Sequence, residues 1–330
     1  MRMKQKVIQT IKKYNLINSG DKIILGVSGG PDSIAMLDIL RQLMSELKFD
    51  IFVVHINHNI RGKDADEDEK YVKKYCQKYN IKFFAKKIDV PTIAKNEKIG
   101  TEEAGRKVRY EYFEEILKET KSNKIAIAHN KNDKVETIIM HLLRGSGISG
   151  LKGIEPIRGN KFIKPLIECD RQEIEKYCRE NNLQPRIDKT NFENEYTRNK
   201  IRNIVIPYIK KEFNPNIIET ITRLAEVVSS EDDFIENIAN ENYKKLLIIE
   251  EKNRIELKLK EFNLLDEVLK NRIILITAKK MFGSTQGIEK INISDIIKLC
   301  NNNIGNKFLM PNKSLKVLIQ NKKINFIKID

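Results

Sequence analysis

The first residues along the chain that could do chemistry form a glycine-rich loop directly after a short apolar run, residues 23–27. The loop consists of Ser28, Gly29, Gly30, Pro31, Asp32 and Ser33. Paired glycines let the backbone turn tightly against phosphate oxygens, and the helix start that follows offers unpaired N–H groups and a positive dipole end. The hydroxyls of Ser28 and Ser33 are further donors, and Asp32 could hold Mg²⁺ against the phosphates. The pattern predicts an anion cradle; the alternative is a plain strand-to-helix turn in which Asp32 or Ser33 only caps the helix.

Polar side chains also follow two other apolar runs. His55 ends the second run and His129 follows the fourth, as Ser28 follows the first. Because open α/β sheets bind ligands outside the carboxyl ends of their strands, we expect these side chains to share one crevice. Asp133 and Glu136 follow His129 at helical spacing, so on a helix the three would point the same way and could position substrates or move protons.

Two arginines, Arg106 and Arg109, lie three residues apart on a predicted helix. Such a pair could neutralise the charge of an α-phosphate during its transfer, although a solvated basic helix face would show the same spacing. Residues 144–153 contain four glycines, which indicates either a loop that closes over a ligand or a plain flexible connector.

Metal and redox chemistry have weaker support in the sequence. The four cysteines lie far apart and form no CxxC pair, which argues against a zinc ribbon, an iron–sulfur site or a disulfide scaffold and fits a reducing cytoplasm. A zinc site between His55, His58 and His129 is an alternative, but no cysteine or paired acidic residue with metal spacing accompanies them.

The elements that must position these residues alternate between strand and helix. The predicted strands are residues 23–27, 51–56, 82–88 and 124–128, and the predicted helices are residues 33–47, 64–79, 101–119 and 133–144. Short runs rich in β-branched and aromatic residues favour buried strands, and intervening helices imply crossover connections. We therefore expect an α/β fold with a doubly wound, mainly parallel sheet and helices on both faces.

The pattern changes after about residue 165. Further helices are predicted at residues 170–181, at 198–213 with a break at Pro207 and a stop near Pro215, at 216–249, at 264–280 and at 294–301. Short strands are predicted at residues 308–310, 315–319 and 324–329. We place a domain boundary after residue 215, so that residues 1–215 form the α/β domain and residues 216–330 form a connector helix and a smaller helical and mixed α+β domain.

Composition narrows the class of protein. The 330 residues carry 61 Lys+Arg against 46 Asp+Glu, a net charge of +15, which favours a polyanionic partner. A hydrophobic content of 40% is enough for a core and excludes wholesale disorder. The sequence contains no apolar stretch of about 20 residues and no secretory signal at its start, so we expect a cytoplasmic protein without a membrane span.

Several motifs together resemble one known family. The glycine-rich loop resembles the PP-loop of ATP pyrophosphatase-type enzymes and lacks the Walker A pattern. The further segments that carry the resemblance are residues 55–62, 102–110, 128–137, 141–153, 187–191, 196–202 and 206–207. With them the chain resembles the tRNA(Ile)-lysidine synthase family over nearly its whole length, most densely over residues 22–215. We expect the short form of the family, without the extra C-terminal module of its longer members.

The resemblance implies a ligase that uses ATP as a substrate, with Mg²⁺, to adenylate the C2 oxygen of the wobble cytidine of tRNA(Ile) with a CAU anticodon. Free L-lysine then displaces AMP to give lysidine, and pyrophosphate is the other product. The base must leave its stack to be modified. A homodimer is compatible with this reading, and the sequence leaves the subunit count open.

Residue roles follow from this reading. The glycine-rich loop and His55 would bind ATP, Asp32 would also hold Mg²⁺, and Arg198, Lys200 and Arg202 would contact tRNA phosphates. The predicted catalytic residues are Asp32, Arg106, Arg109, His129, Asp133 and Glu136.

One stretch departs from the family pattern. The residues at the family's His-His-x-Asp-Asp-Gln motif are His129, Asn130, Lys131, Asn132, Asp133 and Lys134. Acid–base or metal roles at Asn130 and Asn132 are therefore in doubt. Two alternatives stay open: another PP-loop enzyme, either a tRNA thiolase or a small-molecule amide synthetase, and a non-catalytic nucleotide- or RNA-binding protein. Thiolases of this type usually need paired cysteines, and small-molecule synthetases do not need the +15 charge.

Overall fold

The computed structural model describes residues 2–59, 62–186, 197–285, 287–302 and 307–329. Residues 60–61, 187–191 and 196 of the motifs above lie outside this described part. The chain divides into two compact units, Met1–Glu226 and Val227–Asp330. The division falls within a long helix, whereas the boundary that we predicted lies just before that helix. None of the described helices is both long and apolar enough to cross a membrane.

The first unit is built on a mainly parallel sheet. Its described strands are β1 (Lys22–Gly26), β2 (Asp50–Asn57), β3 (Lys82–Lys87), β4 (Lys124–Ile127), β5 (Ile157–Arg158) and β6 (Phe162–Ile163). They lie in the order β3-β2-β1-β4-β6-β5, and every neighbouring pair is parallel except β5 with β6. The strand order reverses between β1 and β4, which is where open α/β sheets form their ligand crevice.

Helices cover both faces of this sheet, as predicted. Those that begin in the first unit are α1 (Arg2–Lys13), α2 (Pro31–Leu47), α3 (Lys63–Lys78), α4 (Val90–Glu97), α5 (Thr101–Thr120), α6 (Lys131–Leu143), α7 (Ile148–Leu151), α8 (Arg171–Glu180), α9 (Thr197–Lys200), α10 (Ile206–Glu212) and α11 (Ile217–Leu246). Because successive side chains of a strand point to opposite faces, Ile23 and Leu25 pack with α1, α2, α3 and α8, whereas Ile24 packs with α5. Strands buried on both faces need the continuous apolar runs seen in the sequence.

The end of β1 approaches α5 closely. A Cβ atom at Gly26 would lie 2.6 Å from Cζ of Phe113, so only glycine fits against this ring. Phe113 is buried with Ile24 in the core between α5 and the sheet. The same helix carries Arg109 one turn earlier, on the same side as Phe113, at the carboxyl edge of the sheet.

Residues 197–212 form one continuous helical segment, which is α-helical at both ends and π-helical in the middle. A π-helical stretch, Ile201–Val205, joins α9 to α10. Pro207 lies in the first turn of α10, where a missing backbone N–H breaks no hydrogen bond of the helix. The irregularity that we predicted at Pro207 is the π-helical stretch just before it. Ile201 and Ile206 pack against α6 in one buried cluster, which fixes the inner side of this segment.

The second unit has an antiparallel sheet and its own core. Its described strands and helices are β7 (Leu247–Glu251), β8 (Arg254–Lys258), α12 (Leu259–Asn263), α13 (Glu267–Phe282), α14 (Lys290–Asn302), β9 (Phe308–Asn312), β10 (Leu315–Gln320) and β11 (Lys323–Lys328). The strands lie in the order β7-β8-β11-β10-β9. Phe262, Ile274, Ile296 and Phe326 are among the residues that form the core.

The predicted elements agree with the structure except at a few places. The elements that were not predicted are helices α1, α4, α7 and α12, the short strands β5 and β6, and the hairpin of β7 and β8. The helix predicted at residues 264–280 is α13, and the long helix predicted to reach residue 249 ends at Leu246. The chain from Leu247 onward leaves the helix because it pairs with β8 as a strand.

Candidate active site

A cavity of about 420 Å³ opens at the carboxyl ends of β1, β2 and β4. It therefore lies at the point where the strand order reverses. The predicted site residues that line it are Ser28, Gly30, Asp32, Ser33, His55, Arg109 and His129. The crevice expected from the strand ends is thus a single cavity that joins the glycine-rich loop to both histidines.

One hydroxyl group holds the glycine-rich loop in shape. Ser33 Oγ accepts the N–H groups of Ser28 at 3.2 Å and of Gly29 at 3.1 Å, and it donates to Gly30 O at 3.0 Å. Gly29 has a φ of +96°, and a Cβ there would lie 3.3 Å from Cβ of Asp68. The N–H of Gly29, which we expected to face a phosphate, is therefore bound to Ser33, and Ser33 organises the loop from within.

The start of α2 presents backbone N–H groups beside the glycine-rich loop. Gly30 is the N-cap residue and has no side chain to cap with, so the simple N-cap reading of Asp32 or Ser33 is wrong. Pro31 opens the helix, and the first intrahelical bond runs from the N–H of Ile34 to Gly30 O at 3.0 Å. The N–H groups of Asp32 and Ser33 precede that bond at the positive end of the helix dipole, where phosphate oxygens bind well.

The surroundings of Asp32 disfavour the ionised form of its carboxyl group. Asn130 Nδ2 donates to Asp32 Oδ1 at 2.9 Å. Burial, and then the nearby carboxylate of Asp133, raise the pKa of Asp32 to about 6, against the opposing effects of Asn130 and of the Arg171 and Arg202 charges. A cation in the cavity would relieve this cost. The carboxylate oxygen therefore fits Mg²⁺, which usually takes one or two protein carboxylates and completes its shell with phosphate and water.

No group of three or more His, Cys, Asp or Glu side chains within the described residues could hold a metal ion. A Mg²⁺ ion beside Asp32 would accordingly depend on oxygen atoms of the bound nucleotide. The zinc site considered at His55, His58 and His129 gains no support from this arrangement. His55 Nδ1 lies 2.8 Å from Val27 O, and a carbonyl can only accept, so Nδ1 carries the proton.

Asn130, which departs from the family motif, links Asp32 to helix α6. Its side chain accepts the N–H of Asp133 at 3.0 Å, and Asp133 Oδ2 accepts the N–H of Asn130 at 3.0 Å, which together form a capping box. Asn is among the best N-cap residues, so the substitution suits this position. A second departure, Asn132, accepts the backbone N–H of Arg171 at 3.0 Å. Asn130 and Asn132 therefore have structural roles that need no charge.

His129 does not lie on a helix with Asp133 and Glu136, as we had predicted, because α6 begins after it with Asn130 as N-cap. The residue is half-buried, and its Nδ1 atom is buried without a hydrogen-bond partner among the described residues. Burial, aided by the positive charges of Arg198, Lys164 and Arg109 and opposed by Asp133, lowers the pKa of His129 to about 4. The imidazole is therefore neutral at physiological pH, although cations surround it.

Asp133 and Glu136 form a buried acidic pair held by arginines. Glu136 is 1% exposed and receives Arg202 Nε at 2.7 Å and Arg202 Nη2 at 2.8 Å. Arg202 Nη2 also lies 3.0 Å from Asp133 Oδ1. Arg171 and Arg198 approach Glu136 at 3.5 Å. Neither carboxylate lines the cavity, so any role in the chemistry starts from this ion-paired state.

The three residues predicted to bind tRNA separate into two groups. Arg202 and Arg198 turn inward toward α6, and Arg198 Nη2 also donates to Thr137 Oγ1 at 2.8 Å. Lys200 lies between them in sequence and is exposed. The structure thus leaves Lys200 at the surface and places the two arginines beside the buried acidic pair.

The two arginines of α5 also separate. Arg109 lines the cavity, and its Nη2 lies 3.5 Å from His58 Nε2. Arg106 is exposed outside the cavity lining, with its guanidinium 5.5 Å from the ring centre of Tyr110. Of the two arginines, Arg109 is therefore the one that lines the cavity with the glycine-rich loop.

Sequence reasoning missed Lys164, which directly follows β6 at the same edge of the sheet. Lys164 is 5% exposed, and its Nζ lies 3.4 Å from Phe162 O, with no carboxylate within ion-pair distance among the described residues. Burial, and then the charge of Arg158, lower its pKa to about 8, against the effect of Glu155. The strand-end rule that pointed to His129 would have found Lys164 if β6 had been predicted.

Asp68 and Arg186 were missed as well. Asp68 lines the cavity and packs against Gly29, and its Oδ1 lies 3.1 Å from Arg186 Nε. The backbone N–H of Arg186 donates to Gly29 O at 3.0 Å. These contacts connect distant parts of the chain to the glycine-rich loop, and no local sequence pattern marks them.

The sheet order and the loop at the end of β1 define the PP-loop class, and residues 2–209 match the PP-loop domain family. Among solved structures, the U34-tRNA thiolase NcsA from Methanococcus maripaludis with its 4Fe-4S cluster has a TM-score of 0.58 at 19% identity, over 69% of this chain and 78% of that chain. At this identity the likeness shows the fold alone.

Comparison with curated proteins shows to which family of PP-loop proteins the chain belongs. Proteins named tRNA(Ile)-lysidine synthase from Clostridioides difficile strain 630 and Geobacillus kaustophilus are 46% and 32% identical to this chain over 92% and 96% of its length. The matches cover 66% and 68% of those relatives. The relative of the same name from Clostridium acetobutylicum is 45% identical over 93% of this chain and 66% of its own length. The chain belongs to the tRNA(Ile)-lysidine synthase family and spans about two thirds of the length of these relatives.

Proposed function

We propose that the chain joins free L-lysine to C2 of the wobble cytidine of tRNA(Ile) with a CAU anticodon, in a ligase reaction that consumes ATP and releases AMP and pyrophosphate. The observation that carries the proposal is the cavity at the reversal of the sheet, where the PP-loop, His55, His129 and Arg109 meet. We infer the reaction from the family, and we propose that its first step takes place in the cavity.

In the first step the C2 oxygen of cytosine attacks the α-phosphorus of ATP, and the bond to the bridging oxygen breaks so that pyrophosphate leaves. The first turn of α2 would offer its N–H groups to the phosphates, beside the loop that the hydrogen bonds of Ser33 hold. Arg109 lines the same cavity and can neutralise charge on the α-phosphate. Arg106 would act only at longer range because it lies outside the cavity.

Asp32 is the residue that would hold Mg²⁺ at this site. The ion would supply positive charge that neutralises the charge of the phosphates. Asp32 must be ionised to do so, and the hydrogen bond from Asn130 keeps its carboxylate oriented. Its pKa is raised because the carboxylate is buried and lies near Asp133, and a bound cation would offset both effects.

In the second step the amine of lysine attacks C2, the C2–O bond breaks, and AMP leaves with the oxygen. The amine must be neutral to attack, and the departing proton needs an acceptor. His129 is neutral and lines the cavity, so it can take part in this transfer, although its low pKa makes it a weak base. Asp133 and Glu136 stay proposed proton-handling or positioning groups, through the arginines that they hold.

The partner and setting follow from the same proposal. The +15 charge suits a tRNA backbone, with Lys200 as an exposed contact. The four cysteines are free thiols, as expected of a cytoplasmic protein. The homodimer that the sequence allows stays a prediction, which light scattering of the purified protein would test.

The decisive assay measures AMP formation from ATP with and without lysine and unmodified tRNA(Ile) carrying the CAU anticodon. We expect full turnover only when both are present, with lysidine detected in the tRNA by mass spectrometry. AMP release that needs neither tRNA nor lysine would overturn the proposal. tRNA with a modified or changed wobble base is the matched control for the site of reaction.

Thiolation is the competing activity that this assay must separate. Burial raises the pKa of Cys76, Cys169, Cys178 and Cys300 to about 12, so none is a ready thiolate. All four are buried. Incorporation of sulfur into tRNA, rather than lysine, would therefore contradict both the proposal and the state of these thiols.

A further inference from the structure

The segment from residue 197 to residue 213 has an outer side to which, apart from Lys200, the proposed function gives no role. Tyr208 is 59% exposed and Phe213 is 74% exposed, although both are large aromatic residues. Their rings lie 5.9 Å apart with an interplanar angle of 65°, in an edge-to-face arrangement. Ile204 is 52% exposed on the same segment. Exposed aromatic rings that pack on each other at a surface need a partner that covers them.

The surroundings of these rings are positively charged. Residues 197–213 contain five Lys or Arg residues and one carboxylate, Glu212. Lys200, Ile204, Tyr208 and Lys211 follow one another at helical spacing and are all exposed. Lys211 pairs with Glu212 at 2.9 Å, and its side chain is 83% exposed. A row of cations interrupted by apolar and aromatic side chains suits single-stranded nucleic acid.

The inner side of the same segment is fixed to the site. Ile201 and Ile206 are buried against α6, and Arg202 binds Glu136 and Asp133. Asp133 is joined through Asn130 to Asp32 by hydrogen bonds. The segment that carries the rings is therefore connected to the PP-loop by a continuous series of contacts.

We infer that Tyr208 and Phe213 form an aromatic platform on which unpaired bases of an RNA loop stack while Lys200 and Lys211 contact the flanking phosphates. The inference rests on the proposed function, since the RNA would be the loop of the tRNA substrate. Bases in a duplex are stacked on each other and cannot reach such rings, whereas the bases of a loop can be splayed onto them. A second copy of the chain is the other occupant that exposed rings could take.

The absence of tryptophan from the chain makes a direct test available. Tyr208→Trp or Phe213→Trp would give a single tryptophan, which can be excited apart from the ten tyrosines of the natural chain, and base stacking should quench its emission. The probe is an RNA stem-loop with unpaired loop bases, and a blunt duplex of the same length is the RNA control. Phe234→Trp is the protein control, because Phe234 is 66% exposed but lies in an acidic stretch, residues 231–236, with four Asp or Glu residues.

We expect the stem-loop, and not the duplex, to quench the tryptophan at position 208 or 213, and neither RNA to quench the one at position 234. Equal quenching by duplex and stem-loop would overturn the platform. Emission that changes with protein concentration in the absence of RNA would instead assign the surface to a second copy.

A kinetic test separates this inference from the proposed function. The double variant Tyr208→Ala with Phe213→Ala should raise the KM for tRNA by about tenfold or more, because each stacked base contributes roughly 1–3 kcal/mol. ATP binding without tRNA should not change. If lysidine forms at a normal rate in the double variant, the platform is wrong and the proposed reaction stands. If stem-loops quench but no lysidine forms in the unmodified chain, the reaction is wrong and the platform stands.

Discussion

Helix α2 carries two aspartates six residues apart whose surroundings have opposite effects on the same kind of side chain. Asp32, in the first turn, lines the cavity with one hydrogen bond from Asn130, and burial beside Asp133 raises its pKa to about 6. Asp38 lies two turns further and is 3% exposed. Its hydrogen bonds outweigh the desolvation of its charge and lower its pKa below the ordinary value.

The partners of Asp38 account for this difference. Tyr75 and Tyr177 donate their hydroxyls at 2.5 Å and 2.6 Å, and Arg41 and Gln42 donate at 2.9 Å and 2.8 Å. These side chains come from α2, α3 and α8, so the carboxylate joins three helices on one face of the sheet. Asp38 is a satisfied structural charge, whereas Asp32 is an incompletely satisfied charge at a cavity. The comparison indicates that the chain accepts an energetic cost where a cation and phosphates are expected to bind.

The largest expected effect is the loss of activity in Asp32→Asn. Asn keeps the shape and can still accept from Asn130, but it cannot hold Mg²⁺, so AMP formation should fall by at least about 100-fold. The same change should raise the free energy of unfolding at pH 8 by roughly 1–3 kcal/mol, because it removes a carboxylate whose pKa is raised from 3.8 to about 6. AMP assays and urea denaturation measure the two effects. An active variant would show that Asp32 is not the metal ligand.

Asp38→Asn should give the reverse result. The change removes a buried charge that four donors satisfy, so the free energy of unfolding should fall by about 3 kcal/mol. AMP formation per folded molecule should stay near that of the unmodified chain below the melting transition, because Asp38 does not line the cavity. Circular dichroism with denaturant, together with AMP assays at low temperature, checks both. Loss of activity in the fully folded variant would contradict the separation of the two sites.

The acid limb of the pH profile should report Asp32. The carboxylate must be ionised to bind a cation, so kcat/KM should fall as pH decreases through about 6. The stability effect has the opposite sign: the folded state favours protonated Asp32, so its contribution to the free energy of unfolding decreases as pH rises from 3.8 to about 6. For Asp38, whose pKa is lowered, stability is present above 3.8 and is lost below it. A pH series of kcat/KM and of denaturation midpoints would show the two trends.

The smallest expected effect is that of Asn130→Ala. The variant loses the N-cap of α6, which should reduce the free energy of unfolding by about 1 kcal/mol. It also loses the hydrogen bond that lowers the pKa of Asp32, so the acid limb of kcat/KM should move to higher pH. Thr137→Ala, on the same helix, is the matched control for a change at α6 that leaves Asp32 untouched. An unmoved acid limb in Asn130→Ala would mean that another group sets it.

The fold of the first unit was largely predictable, because its signals are local. Each apolar run is short and bounded by turn residues, and the helices between the runs force a parallel sheet with helices on both faces. The unpredicted elements lack such signals: β5 and β6 have two residues each, and α1 has few features beyond its amphipathic spacing. Because β6 was not predicted, Lys164 was not identified as a residue at the end of a strand.

The sequence predicted the site residues whose positions are set by the ends of strands. It did not predict those whose positions are set by ion pairs. Ser28, His55 and His129 meet because parallel strands end at one edge. Arg202 was predicted to face tRNA, yet it binds Glu136 and Asp133, which lie 66 and 69 residues away in sequence. A spacing pattern shows that a residue lies on a helix face, but it does not show what packs against that face.

The sequence by itself determined the PP-loop, the order of strands and helices that carries it, and the family, because these depend on contiguous motifs and on the periodicity of apolar residues. Only the tertiary structure decided which charges are satisfied. Asp32 and Asp38 are the same residue on the same helix, and their pKa values move in opposite directions because different distant side chains surround them. Electrostatic energies depend on the distance and burial of every nearby charge, and folding alone sets those quantities.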